Sequence, residues 1–526
     1  MGEEAPPPLD LLVLGSGVAG LSAAVRAAAS QPGMRVGVLT KGRLEQATTR
    51  WAQGGVAAVL GGDPDSTDLH LADTLAAGAG LCDADAVRVL VDEGPARVHE
   101  LISLGAVFDR EAGGDLALAR EGGHSVARVV HAGGAATGAE IERALVAAVR
   151  ATAAAVMEGW FAVDLVTDDG RCRGVSAVGP AGLQQTVAAR HVLLATGGAG
   201  QLYAVTTNPP EATGDGMAMA LRAGVPVADV EFVQFHPTAL HHPSMPRPLL
   251  SEALRGHGAR LRDATGERFV DELEPRDVVS RAMAARMAEQ GVDHLWLDAT
   301  GLEDFDRRFP TISASMAAAG LDPTSEWLPV APAAHYTIGG VLADLDGATG
   351  LPGLWAAGEA ACSGVHGANR LGSNSLLEGM VFAARVVEAI LAGKSECEET
   401  GALRAGGWRV LAGDREHGAA PPGGARDRGD AAKLREALQH SLTAHAGVVR
   451  DARSLAEAAG HVAEVAERMP DHGREALELR NLVTVAGALV ASAVARQESR
   501  GAHTRTDFPE TSTAFGHRLV HRAGTP

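Results

Sequence analysis

Three glycines near the start of the chain have the spacing of a phosphate-binding turn. The segment Gly15–Gly20 (GSGVAG) follows a short apolar stretch and precedes a helical pattern, Leu21–Ala29. In such a motif the first glycine permits a tight turn, the second lets the backbone approach a pyrophosphate, and the third lets helix and strand pack closely. The free N–H groups at the helix N-terminus then favour an anion. This context predicts a dinucleotide site.

The glycine motif alone leaves the choice between FAD and NAD open. An acidic residue usually follows the glycines by about 20 positions and binds a ribose. That place is occupied here by Thr40 and Lys41, and Glu45 lies further along.

Three apolar strands end in glycine turns and predict the scaffold of this site. They are Leu9–Leu14, His191–Ala195 and Gly353–Ala357, and a further strand, Arg35–Thr40, completes a βαβ unit with the first. Such units build parallel sheets. The pattern predicts an α/β fold with a Rossmann-like domain assembled from separated segments, residues 1–229 and 337–400.

Two other regions differ from this domain in amino-acid composition and hydrophobic pattern. Residues 230–336 are rich in His, Pro and Arg and contain an amphipathic pattern at Pro275–Gln290, which predicts an inserted domain. Residues 401–526 begin with a Gly/Pro-rich linker up to Asp430. Apolar residues then recur at helical spacing over residues 431–446, 452–468 and 474–500, which predicts three helices. The tail, residues 504–526, is predicted to be irregular.

The amino-acid composition excludes several classes of protein. The chain has 526 residues and a net charge of −19, with 46% hydrophobic and 21% charged residues. These values exclude general disorder, and the acidic balance disfavours nucleic acid and anionic membranes as partners. The four cysteines lie far apart without a CxxC pair, so no metal site is predicted, and a reducing cytoplasm fits. The least polar early stretch, Leu11–Val25, is too short and glycine-broken to span a membrane.

Five further motifs follow one another along the chain: Thr49–Gly55 (TRWAQGG), Ala195–Gly200 (ATGGAG), Thr213–Gly216 (TGDG), Phe235–Thr238 (FHPT) and Asn369–Leu376 (NRLGSNSL). With the glycine turn they resemble the succinate dehydrogenase/fumarate reductase flavoprotein family over nearly the whole chain. The resemblance implies FAD rather than NAD. It also implies that the insertion is a mobile α+β capping domain and that the C-terminal part is a three-helix domain.

The resemblance also implies how FAD is held. Respiratory members attach it through a His five residues before the Gln of AQGG, and Thr48 stands there in this chain. We therefore expect noncovalent FAD. The cofactor residues implied are Gly15, Ser16, Gly17, Ala19, Gly20, Thr40, Lys41, Thr48, Gln53, Gly54, Gly55, Thr196, Gly197, Gly198, Asp215, Gly358, Glu359, Asn374, Ser375 and Leu376.

A set of cationic and hydrogen-bonding residues fits a dicarboxylate, which needs donors at both ends. The resemblance gives each a role. The expected carboxylate ligands are His236, Thr238, His335 and Arg370, with Ser251 assisting. Arg276 resembles the catalytic Arg that gives or takes a proton, and Glu252 and Arg255 resemble the family's proton-relay pair.

One acidic residue separates the possible substrates. Glu121 lies in Arg120–Ser125 (REGGHS), where respiratory members keep the Gly-Gly pair but lack the acid, and where members that oxidise L-aspartate carry it. A carboxylate here can pair with an α-ammonium group, which succinate lacks, whereas an unpaired buried charge is costly.

The implied reaction is FAD-dependent oxidation of L-aspartate to iminoaspartate. The electron acceptor would be O₂, giving H₂O₂, or fumarate, giving succinate. In the family this is the first step of de novo NAD synthesis, which makes quinolinate synthase the expected functional partner. The alternatives are a soluble fumarate reductase or succinate dehydrogenase flavoprotein subunit, a flavin-binding scaffold without activity, and an NAD-dependent dehydrogenase.

Overall fold

A computed structural model describes residues 7–411 and 429–522 of the chain. The α-helices of these residues are α1 (Val18–Ser30), α2 (Thr67–Ala77), α3 (Ala84–Ser103), α4 (Thr137–Arg150), α5 (Asp215–Arg222), α6 (Glu252–Gly256), α7 (Arg276–Gln290), α8 (Phe305–Arg308), α9 (Pro310–Ala318), α10 (Asn374–Leu391), α11 (Ala431–His445), α12 (Ala452–Arg468) and α13 (Arg474–Ala495).

The strands of the same residues are β1 (Leu9–Leu14), β2 (Val36–Thr40), β3 (Val56–Ala57), β4 (Leu118–Ala119), β5 (Val129–Val130), β6 (Ala155–Glu158), β7 (Phe161–Asp168), β8 (Arg171–Val178), β9 (Gln184–Leu194), β10 (Val227–Ala228), β11 (Val233–Leu240), β12 (Arg260–Arg262), β13 (Leu295–Asp298), β14 (Leu328–Thr337), β15 (Gly340–Leu342), β16 (Leu354–Ala356), β17 (Ala361–Cys362), β18 (Trp408–Val410) and β19 (Arg518–His521). They form four sheets.

The strand before the glycine turn lies in the middle of the largest sheet. β1 pairs in parallel with β2 and β9, and β9 pairs in parallel with β16, which places Val13, Leu193 and Trp355 side by side. An antiparallel hairpin, β7 and β8, extends the sheet from the first half of β9. The turns that follow β1, β9 and β16 therefore meet at one edge of the sheet. The predicted α/β fold and Rossmann-like arrangement are confirmed.

The glycine turn requires glycine for two separate reasons. Gly15 has φ +109°, and a Cβ there would lie 2.2 Å from the carbonyl oxygen of Ala195 on the neighbouring strand. A Cβ at Gly20 would lie 2.2 Å from the carbonyl oxygen of Gly15, so that α1 could not pack this closely on β1. Gly20 thus acts in packing, as the motif predicts.

The inserted region has a sheet of its own. The four antiparallel strands are in the order β11-β14-β13-β12, and α7 packs on them through Val279 and Met283. The amphipathic pattern predicted over Pro275–Gln290 is α7, with Pro275 as its N-cap. β11 and β14 lie next to each other, which brings His236 and His335 together. On this arrangement we propose the domain division into 1–229 with 337–400, 230–336 and 401–526.

The C-terminal region contains the three predicted helices, α11, α12 and α13. Of the helices in residues 7–411 and 429–522, α13 is long and apolar enough to cross a membrane, yet 61% of its most apolar window is buried inside the protein. Its Leu479, Leu482 and Leu489 belong to the main hydrophobic core. We therefore interpret α13 as a core helix.

Two predictions for this region are corrected. The tail is not wholly irregular, because β19 pairs with β10 and with β18 in a five-stranded sheet, driven by the burial of Leu519 and Val520. The predicted linker, residues 401–430, contributes β18 to the same sheet. The middle of that linker, residues 412–428, lies outside the described residues.

A buried ion pair fastens the tail to the FAD-domain segment. Arg518 donates to Asp229, which is 1% exposed, and to the carbonyl oxygen of Leu81. We expect Arg518→Leu to lower the free energy of unfolding by about 3 kcal/mol, because it removes the nearest cation of the buried Asp229 carboxylate and leaves Arg496 at 4.0 Å. Denaturant unfolding measures the loss. Arg522→Leu, at an exposed position of the same segment, is the control, and equal stability of the two variants would contradict the prediction.

Candidate active site

A long cavity runs along the edge where the turns after β1, β9 and β16 meet. It contains about 1340 Å³ of space outside protein atoms, its open mouth included. Fourteen of the predicted cofactor residues line it: Gly15, Ser16, Gly17, Ala19, Thr40, Lys41, Thr48, Thr196, Gly197, Asp215, Gly358, Glu359, Ser375 and Leu376.

The cavity fits a dinucleotide with a pyrophosphate. The N-terminus of α1 faces it, and its N-cap, Gly17, has no side chain to cap it. The Val18 N–H donates to the Thr49 hydroxyl, and the other N–H groups of the first turn remain for an anion. Gln53, a predicted cofactor residue outside the cavity lining, has a buried Oε1 without a hydrogen-bond partner in the described residues. A ligand donor would satisfy such an atom.

Three charged residues of the predicted cofactor set have environments that the sequence did not indicate. Lys41 lies 2.8 Å from Asp215 and 3.4 Å from Glu478, so its charge is neutralised within the wall. Burial would raise the pKa of Asp215, but Lys41, Thr213 and Asn481 together outweigh burial and hold that pKa below its ordinary value. Burial raises the pKa of Glu359 to about 7, and its carboxyl accepts from the N–H of Thr337.

Five other predicted cofactor positions lie behind the cavity lining. Gly20 packs against the turn, and Gly198 packs so closely on Glu359 that a Cβ would lie 2.2 Å from its Oε1. Gly54 lies beside Ser373 and Glu121, and Gly55 packs on the backbone of Val130. The Asn374 side chain bonds His70 and Thr74, away from the cavity, so only its backbone at the start of α10 remains for a cofactor.

The two arginines expected at the substrate are held together by a residue that sequence reasoning missed. Gln234 Oε1 accepts from Arg370 Nη2 at 2.7 Å and from Arg276 Nη1 at 3.2 Å. Its amide nitrogen donates to Asn369 and to the carbonyl oxygen of Arg370. Period-two alternation on β11 was the available signal, because Gln234 shares a face with His236.

Arg370 is additionally fixed by its surroundings. Its guanidinium lies 4.3 Å above the ring of Tyr336 and donates to the hydroxyl of Ser375. Burial and the neighbouring charge of Arg276 lower the pKa of Arg370 to about 10. Because the amide that bridges the two guanidinium groups is neutral, their positive charges remain available to attract carboxylates.

The rings of His236 and His335 lie 5.2 Å apart, and of the two, His335 belongs to the cavity lining. Burial, with the charges of Arg276 and Arg370, holds the pKa of His236 and of His335 well below the ordinary value. The N–H of Thr238 donates to His236 Nδ1, which leaves the proton of that neutral ring on Nε2. The Thr207 hydroxyl lies 2.8 Å from His335 Nδ1 and can donate to it in the same way. The His236 ring then offers Nε2–H to a carboxylate, and the His335 ring does so when the Thr207 hydroxyl donates to Nδ1 rather than to the carbonyl oxygen of Ala334.

The two predicted hydroxyl ligands, Thr238 and Ser251, differ in whether their O–H proton is available to a substrate. The Thr238 hydroxyl already donates to the carbonyl oxygen of Leu250 at 2.8 Å, so it has no proton for a substrate in this conformation. Ser251 accepts from the N–H of Ala253 as the N-cap of α6, which leaves its own O–H proton available.

The expected relay pair lies directly behind Arg276. Glu252 Oε2 accepts from Arg276 Nε at 2.9 Å, and Glu252 Oε1 lies 3.8 Å from Arg255 Nη2. Arg255 also donates to the backbone of Glu272, while its Nε and Nη2 have no hydrogen-bond partner in the described residues. The three side chains thus form a buried row leading away from the cation pair.

Glu121 is buried against this cation group rather than solvated. Its side chain is 1% exposed, and it accepts from the Ser373 hydroxyl at 2.6 Å and contacts His131 Nε2 at 3.2 Å. Gly372 separates it from Arg276, since a Cβ there would lie within 3.2 Å of both groups. Burial would raise the pKa of Glu121, but His131, Arg276 and Ser373 together hold it below its ordinary value.

The REGGHS segment is anchored by a second missed residue, His124. Arg128 donates to its Nδ1, and its Nε2 lies 3.0 Å from the carbonyl oxygen of Gly372. Glu121 and the turn at Gly372 are thereby fixed to each other. Outside the cavity, one surface group in the described residues, His241, Asp293 and His294, has ligand atoms within 4.8 Å of one another; we assign it no role.

Family and structure comparisons define the class of this site. The chain matches the FAD binding domain family over residues 10–376 and the fumarate reductase flavoprotein C-terminal family over residues 435–521. A solved structure of E. coli quinol fumarate reductase FrdA is 31% identical, with a TM-score of 0.85, covering 97% of this chain and 93% of that one. The protein is an FAD-dependent flavoprotein of the fumarate reductase type.

Full-length relatives narrow this class. The L-aspartate oxidase of Streptomyces coelicolor is 50% identical over 97% of this chain and 90% of its own length. That of Caulobacter vibrioides is 44% identical over 95% of this chain and 93% of its own. The chain belongs to the L-aspartate oxidase branch of the succinate dehydrogenase/fumarate reductase flavoprotein family.

Proposed function

We propose that the protein oxidises L-aspartate to iminoaspartate with noncovalently bound FAD. The electrons pass to O₂, giving H₂O₂, or to fumarate, giving succinate. The relatives named L-aspartate oxidase support the amino acid as substrate, and the fumarate reductase fold supports fumarate. The observation that carries the proposal is Glu121, a buried carboxylate set against Arg276 and close to the Gln234-bridged arginines.

The pocket matches the charges of L-aspartate one by one. Arg276 and Arg370 bind carboxylates, and the neutral rings of His236 and His335 donate to them from Nε2. Glu121 pairs with the α-ammonium between those carboxylates. Succinate would leave Glu121 without this partner, which costs binding energy in a buried site.

The chain's own side chains then orient the substrate and handle protons. Oxidation removes a hydride from Cα and a proton from the ammonium nitrogen, and FAD supplies the two-electron chemistry when bound. In the fumarate direction, Arg276 donates a proton to the substrate carbon and recovers one through Glu252 and Arg255, whose buried row keeps water away. Fixed placement of the dicarboxylate contributes most of the rate.

An aerobic assay tests the proposal. The purified yellow protein is incubated with L-aspartate, D-aspartate or succinate while peroxide is followed. We expect peroxide with L-aspartate alone. Turnover of succinate without turnover of L-aspartate would replace the proposal with the fumarate reductase or succinate dehydrogenase alternative, which Thr48 and Glu121 disfavour.

Noncovalent attachment gives a further prediction. Thr48 lies in the cavity wall where a histidine would be needed for a covalent bond, and a threonine hydroxyl offers no comparable nucleophile. We expect acid precipitation to release essentially all of the yellow colour into the supernatant. Colour retained by the washed, denatured protein would show a covalent bond.

The product suggests the cellular setting. Iminoaspartate hydrolyses readily, so an enzyme that consumes it must act quickly. We propose a cytoplasmic role in the first step of NAD biosynthesis, with quinolinate synthase as functional partner. Accumulation of oxaloacetate in the absence of that partner, and of quinolinate in its presence, would test this role in a coupled assay.

A further inference from the structure

Glu121 has a second hydrogen-bond partner besides Ser373, the imidazole of His131, whose Nε2 lies 3.2 Å from Glu121 Oε1. It follows β5, and its side chain is 10% exposed. Its position in the sequence does not by itself indicate a role. Its ring lies against the same carboxylate that would receive the ammonium of L-aspartate, so two cations would compete for Glu121 whenever His131 is protonated.

We propose that His131 is a positioning residue that sets the selectivity of Glu121 for an amino acid over a plain dicarboxylate. A neutral His131 donates one hydrogen bond to Glu121 and leaves its charge to the substrate's ammonium. An imidazolium at His131 neutralises Glu121 and repels the ammonium. This inference rests on the proposed function and deepens it.

The geometry supports a shared carboxylate. The Ser373 hydroxyl occupies Oε2 and His131 faces Oε1, so neither partner blocks the whole group. Each carboxylate oxygen accepts more than one hydrogen bond. An ammonium can therefore join these contacts, and what decides its affinity is whether a second positive charge is already present.

The other charged groups near Glu121 do not reproduce this behaviour. They are Arg276 from α7, Glu252 and Arg255 from α6, Arg370 before α10, and His124 from the same loop. Arginines keep their charge at all relevant pH values. Burial lowers the pKa of His124. Glu359, whose pKa is about 7, faces Arg370 and would affect L-aspartate and succinate alike.

The test compares two ligands that differ in the ammonium group. L-aspartate and succinate are bound to the chemically reduced, oxygen-free holoenzyme, which turns over neither, and dissociation constants are measured by equilibrium dialysis between pH 6.0 and 8.5. We expect the ratio of the L-aspartate to the succinate constant to rise several-fold from pH 8.5 to pH 6.0, because protonation of His131 places a second positive charge beside Glu121 and this charge repels only the ligand that carries an ammonium group.

Variants separate this role from a structural one. In His131→Gln an amide can keep the hydrogen bond without a charge, and we expect the ratio to become independent of pH. His99→Gln, at an exposed position of α3, should keep the wild-type slope. A flat wild-type ratio, an unchanged slope in His131→Gln, or equal weakening of both ligands in that variant would overturn the inference. Failure of the proposed function looks different: succinate binds, and L-aspartate neither binds nor reacts at any pH.

Discussion

Glu121→Gln is expected to reduce kcat/KM for L-aspartate oxidation by about a hundredfold to a thousandfold while fumarate reduction changes only a few-fold. The substitution keeps the size and the hydrogen bond from Ser373 but removes the buried negative charge. Loss of one partner of a buried charge pair costs about 2–5 kcal/mol, and only L-aspartate carries the ammonium. Both activities are measured on the same preparation, with reduced dye as electron donor for fumarate.

The value of this comparison lies in its internal control. A variant that misfolds or loses FAD fails in both directions, whereas loss of ammonium recognition affects one. Glu111→Gln is the matched control, because it removes the same charge at an exposed position of the preceding loop. Equal loss of both activities in Glu121→Gln would remove the physical basis for selecting aspartate over succinate.

Arg276→Leu is expected to abolish both directions, with kcat for fumarate reduction lower by about a thousandfold or more. Arg276 lies between Glu252 and the Gln234 oxygen that it shares with Arg370. Its removal takes away a carboxylate ligand and the proton donor together, and a positioned general acid alone contributes about 10²–10⁴-fold. It also leaves Glu252 buried without its nearest cation.

Two further variants define what Arg276 contributes. Arg276→Lys keeps a charge but loses the fork that contacts Glu252 and Gln234 at once, so we expect partial binding and a kcat still reduced at least about a hundredfold. Arg286→Leu changes a half-buried residue of the same helix that pairs with Glu289 and Asp263 rather than with the candidate site, and this variant should remain active. Full aspartate oxidation by Arg276→Leu would show that the proton passes elsewhere.

The local signals in the sequence were sufficient for the scaffold. A buried strand, a glycine turn and a helix are neighbours in the chain, so the strand Leu9–Leu14 could be predicted to the residue. The helix predicted over Leu21–Ala29 begins earlier, at Val18, and ends at Ser30. The tail was missed because β18 and β19 are short strands of three and four residues. Pairing in one sheet between residues more than a hundred positions apart leaves no periodic pattern in either segment.

The same distinction between local sequence signals and tertiary packing applies to the candidate site. The sequence by itself determined which residue types are available: the phosphate turn, the arginines and histidines for two carboxylates, and an acid at position 121. The tertiary structure decided what each can do. The packing of the chain buried Glu121 beside Ser373, which is 252 positions away. It also placed one Gln234 oxygen between two arginines and left the Thr238 hydroxyl without a free proton. These outcomes depend on distance and burial, which set the strength of a charge or hydrogen bond and which no residue carries alone.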